Sequence, residues 1–130
     1  MSNKHLNQYH LNREFLQKIK ESFPDHYFDW KITVLFYCAT HLIRAYALEK
    51  KGLGLGNRHM DVFEFVKQEC GENSRQDKSF GTLYRNSRDS RYNGFTTRSN
   101  FERFCNYKFK ESISHLSHIK GYMEAQGFKC

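Results

Sequence analysis

Proline is almost absent, with Pro24 the single one in the chain. Because proline breaks helices and little else here does, long helices are open nearly everywhere. No stretch alternates apolar and polar residues over the length of a strand, and no segment recurs at a fixed period, which argues against a sheet or a solenoid. The most apolar run, residues 32–48, is interrupted by His41 and Arg44. It is shorter than the roughly 20 residues a bilayer crossing needs, so no membrane span is expected. Residues 1–8 are polar and lack the apolar centre of a secretory signal. The cysteines, Cys38, Cys70, Cys105 and Cys130, stand far apart, with no close pair of the kind zinc sites and redox motifs use. Reduced, mostly buried thiols in a cytoplasmic protein are expected, with no metal and no cofactor.

What is present is aromatic and basic. A length of 130 residues suits one domain, and 16% aromatic content is ample for its core. The net charge is +7, and residues 75–110 hold nine cations against three carboxylates, or +6 of it. Charge so clustered either attracts a polyanion, nucleic acid being the commonest, or simply keeps a surface soluble.

The periodicity predicts an all-α antiparallel bundle of about five helices. In the first, residues 4–22, Leu11, Phe15, Ile19 and Phe23 recur every four positions along one face until Pro24 stops it. The second, capped by Asp29, is apolar on almost every side to Leu48, and should be the buried centre; Lys50, Lys51 and Gly52 end it. A third spans residues 58–70, and a polar loop of residues 71–78 follows. Ser79 is the expected cap of a fourth, residues 80–92, which Asn93-Gly94 terminates. Ser99 with Glu102 forms the signature that opens the fifth.

Several groups carry potential chemistry. Thr33, Tyr37, His41 and Arg44 make a polar stripe on the second helix, which must face water, a cleft, a subunit interface or polar groups of another helix. Gly52-Leu53-Gly54-Leu55-Gly56 lacks the strand and the Lys-Ser/Thr of a phosphate loop and reads as a helix connection. His59 opens the third helix, where free amides favour an anion. His115 and His118 lack a third ligand and read as surface histidines. On the fourth helix Arg85, Arg88, Asp89 and Tyr92 share a face, suited either to phosphate and a stacked base or to a surface ion-pair network.

The run Phe36-Tyr37-Cys38-Ala39-Thr40-His41-Leu42-Ile43-Arg44-Ala45, the glycine-rich connection with His59, and Tyr84-Arg85-Asn86 leading to Arg91-Tyr92 together resemble the HEPN domain (higher eukaryotes and prokaryotes nucleotide-binding). The resemblance covers about residues 29–92. It implies a helical bundle, a homodimer, and a motif of arginine, often asparagine, then histidine and in one branch tyrosine, shared by metal-independent endoribonuclease toxins. Arg85-Asn86 matches its start and Tyr92 its end, while Ser90 stands at the histidine position. A serine hydroxyl does not exchange protons near neutral pH as an imidazole does. The expected site is therefore a basic cleft for RNA or a nucleotide, with Arg85, Asn86 and His41 as catalytic residues and Arg88, Arg91, Tyr92, Tyr37, Arg44 and His59 as binding residues. The resemblance equally permits a non-catalytic module, such as the partner of a small nucleotidyltransferase in a toxin–antitoxin-type pair.

Overall fold

The computed structural model describes residues 3–92 and 97–130, except the side chain of Tyr92. It consists of α1 (Lys4–Ser22), α2 (Phe28–Lys51), α3 (His59–Cys70), α4 (Arg75–Tyr92) and α5 (Arg98–Ala125). No strand occurs among the described residues, and none of the helices there is long and apolar enough to cross a membrane. The bundle is built around α2, which packs against each of the other four helices.

That centrality follows from composition. Ile32, Leu35, Phe36, Ala39, Leu42, Ile43 and Tyr46 leave α2 no wide polar side, and all are buried. Val62, Phe65 and Val66 from α3, Phe80 and Leu83 from α4, and Phe109, Leu116, Ile119 and Met123 from α5 complete the core. Each large side chain so buried is worth about 1.5–3 kcal/mol relative to exposure. Cys38 and Cys105 lie in this core with free thiols, which burial pushes up to about 12, so they behave as small apolar residues.

Helix ends depart from expectation where several cap-forming residues compete. Asp29 does not cap α2; the helix begins one residue earlier, after Tyr27 in a left-handed conformation (φ 60°). The buried Lys31 donates instead to the Phe23 carbonyl at 2.6 Å, satisfying the frayed end of α1. Gly52 ends α2 at φ 66°, as its position predicts. The fourth helix starts at Arg75, not at residue 80, because Ser74 Oγ accepts from Asp77 N (3.1 Å) and the Asp77 carboxylate accepts from Asn73 N (2.9 Å). Thr97, not Ser99, caps α5, accepting from Asn100 N at 3.2 Å. Asn93-Gly94 lies outside the described residues.

Two packing features bear on function. The stripe of α1 is a real face turned outward: α1 docks through Tyr9 and Leu16, while Leu11, Phe15 and Phe23 remain 59%, 55% and 46% exposed. Meanwhile α4 meets α5 partly through polar groups. Asn86 Nδ2 donates to Glu111 Oε1 and Ser112 Oγ, each at 3.0 Å, and Ser79 Oγ lies between His115 and His118.

Candidate functional site

Phe36, on the buried face of α2, is the hub from which the site is assembled. Its ring meets His59 of α3 (centroids 5.3 Å apart), Phe80 of α4 (5.6 Å) and Tyr84 of α4 (5.7 Å), and His59 and Tyr84 touch each other edge-on at 5.6 Å. Edge-to-face packing of this kind fixes ring orientation as well as burying area. The imidazole is thereby held at the first turn of α3, beside the exposed face of α4.

The connection that delivers His59 is itself pinned. Arg44 is only 8% exposed, and its guanidinium donates to the carbonyls of Leu55 and Gly56, which satisfies a charge that would be costly to bury unpaired. Gly56 lies so close to the Asp61 carboxylate that a Cβ there would overlap it. That carboxylate in turn accepts from Arg58 N (3.1 Å) and Arg58 Nη2 (2.9 Å), closing a reciprocal cap at the start of α3.

Charge around this point is unbalanced. Burial first, then Arg44 and Arg91, hold the His59 pKa below its ordinary 6.5. His59 is thus a neutral base in the field of two guanidinium groups. Arg44 acts likewise on a second pair, His5 and His41, whose Nδ1 atoms lie 3.2 Å apart in stacked rings. Burial and then Arg44 lower His5, and burial, His5 and Arg44 lower His41. The one buried cation thus lowers the pKa of three imidazoles.

The chain matches no protein-family model, no curated protein and no solved structure.

The structure sorts the expected residues into three groups. Tyr84, Arg88 and Arg91 recur at four and three residues along one side of α4, where Tyr84 touches His59 and Arg91 Nε donates to the Ser87 carbonyl at 3.1 Å. Arg88 is exposed and has no partner among the described residues; Arg85 is exposed too, and folds back to donate to Thr82 Oγ1 at 3.1 Å. No ion pair joins either to Asp89 among the described residues, which removes the surface-network reading. Arg44 and Arg91 both act on His59 through their charge, whereas Tyr37, 39% exposed, lines a groove with Gln8, Asn12, Phe15, Val34 and His41 on the α1 side. His41 belongs to the His5 pair, away from Arg85, whose charge is felt by His115.

Asn86 is not at that surface. Its amide is 2% exposed and consumed by Glu111 and Ser112, so it works in packing α4 on α5. Ser90, the residue at the histidine position, is also buried and donates to the Ser87 carbonyl. Tyr92 closes α4, and its side chain lies outside the described residues. Sequence reasoning missed Phe36, Tyr84 and His5 as contributors. The spacing of Tyr84, Arg88 and Arg91 was the available signal for the second of these.

Proposed function

We propose that this chain is a HEPN-like, cytoplasmic protein that binds single-stranded RNA or a nucleotide on the face formed by α2, α3 and α4. The observation that carries the reading is His59 held against Phe36 and Tyr84, its pKa lowered by burial and by the charges of Arg44 and Arg91, with the exposed Arg88 one turn from Arg91. Arg88 and Arg91 hold phosphate, a task to which planar guanidinium forks are suited. Tyr84, beside His59, offers a ring for a base. Since Ser90 is buried, any metal-independent cleavage of RNA on this face runs through His59, which accepts the proton of the attacking 2′-hydroxyl while an arginine stabilises charge on the phosphate. The test is binding of a labelled single-stranded RNA at low salt, compared with the Arg88→Ala/Arg91→Ala double variant. Loss of two charge-assisted contacts is expected to weaken affinity by about tenfold to a hundredfold. Equal affinity would dispose of the assignment.

A second observation favours a partner protein. Phe15, Phe23, Tyr27, Trp30 and Tyr37 lie 39–57% exposed along α1, α2 and the connection between them, and Phe15, Ile19, Phe23, Tyr27, Trp30 and Val34 line one open apolar groove. Contiguous apolar surface beyond a few hundred Å² is unusual on a monomer. We assign this face to a homodimer, because two copies of a basic chain associate with least repulsion through a patch of uncharged side chains. Sedimentation of the purified protein is expected to give a dimer, and Trp30→Asp a monomer. A monomeric wild type at tens of micromolar would hand the face to a different protein, such as a small nucleotidyltransferase.

A further inference from the structure

His118 of α5 stands opposite Arg75, the first residue of α4, with Arg75 Nη2 2.6 Å from its Nε2. A guanidinium has only donors to offer, so Nε2 accepts and the neutral ring carries its proton on Nδ1. That Nδ1 lies 3.2 Å from Ser79 Oγ, to which it donates. Ser79 Oγ is in turn 3.0 Å from His115 Nδ1, the acceptor left for its own hydroxyl proton. The guanidinium thus sets the direction of the whole chain, from Arg75 to His118 to Ser79 to His115.

We infer that the N-terminal half of α4 is held to α5 by a proton-operated latch whose sensor is His118: the chain closes on the neutral ring, and protonation opens it. A protonated imidazole has no acceptor, and its second N–H would oppose the guanidinium at 2.6 Å. The surroundings favour the neutral state. Arg75 and Arg85 from α4 face the two rings, and on α5 each ring faces the other and Glu111 stands near His115. Glu111 alone favours a charged imidazole, and it is engaged by Asn86 at 3.0 Å. Burial and then Arg75 lower the pKa of His118, in the sense the geometry requires. The buried residues of α4 include Ser79, Asn86 and Ser90 beside Phe80 and Leu83, so polar bonds carry part of its seat on α5.

The latch stands on the α4–α5 geometry alone; only its consequence, that acid loosens the helix carrying Arg85, Arg88 and Arg91, rests on the function proposed above. Nitrogen-15 correlation spectra of the imidazoles at pH 7.5 are expected to show the His118 proton on Nδ1, the less common site in free histidine. Amide protection factors of residues 79–83, relative to those in α2, are expected to fall as the pH drops below about 6.5, by up to tenfold per pH unit for one proton taken up. In His118→Gln, whose amide oxygen still accepts from Arg75 but does not titrate, that relative fall shrinks to the part His115 contributes through Ser79. A His118 proton on Nε2 at pH 7.5, or the same relative fall in both proteins, overturns the inference. Neither readout involves RNA, so its failure is distinct from failure of the binding site.

Discussion

Phe36→Ala is expected to cost about 3–5 kcal/mol of stability, lowering the thermal midpoint by on the order of 10–20 °C. The ring is 1% exposed and is shared by three helices, touching His59, Phe80 and Tyr84, so its removal leaves a cavity no single neighbour can fill. The damage is also directed at the site, because the same contacts set the orientation of His59 and Tyr84. Phe36→Leu keeps most of the volume and loses the ring edges. It is expected to retain most of the stability while RNA affinity falls more than the midpoint implies. Calorimetry and binding on both variants separate the two roles, and a loss under about 1 kcal/mol for Phe36→Ala would remove Phe36 as the hub.

Mild acid is expected to destabilise the whole fold before any carboxylate titrates. His5, His41, His59, His115 and His118 all have pKa values lowered by burial in the folded chain, with neighbouring cations adding to the effect. The unfolded chain, with histidines near 6.5, therefore binds more protons than the folded one. The histidine contribution is complete above about pH 6.5 and is lost as the pH falls from there through the lowered folded values. Each histidine contributes at most about 1.4 kcal/mol per pH unit, and partly exposed rings contribute less. Asp61 and Glu69, whose pKa values are lowered, act from the ordinary carboxylate range downward and leave the interval from pH 7 to 5 to the histidines. The urea midpoint should drop between pH 7.5 and 5.5; an unchanged or rising midpoint would mean that these rings are not neutral in the native state.

The helices were legible because periodicity, a lone proline and Gly52 all speak locally. What sequence could not convey was which neighbour each face meets. The stripe Leu11, Phe15, Ile19 and Phe23 has ideal helical spacing, yet α1 docks through Tyr9 and Leu16, since the surface of α2 accepts only one side of it. Ser74 and Ser79 are equally good caps in isolation; Asp77 decides for Ser74, and Ser79 is thereby freed to bridge two histidines that read as surface residues. Asn86 follows Arg85 in a motif-like pair, but adjacent helix positions point 100° apart, so one reaches solvent and the other the α5 interface. The stripe of Tyr37, His41 and Arg44 divides in the same way: Arg44 is spent on the loop carbonyls, His41 on His5, and only Tyr37 stays open.

The claim on which the functional reading turns is that Arg88 and Arg91 engage phosphate, and the salt dependence of RNA affinity tests it most directly. Binding of a single-stranded RNA should weaken linearly on a logarithmic scale as salt rises, since each phosphate neutralised releases counterions, with a slope of about −0.7 per contact. For Arg88→Ala/Arg91→Ala the slope should become shallower by about 1.4 and the low-salt affinity should fall. An unchanged slope in the double variant, or a wild-type protein that fails to bind at low salt, would contradict the account.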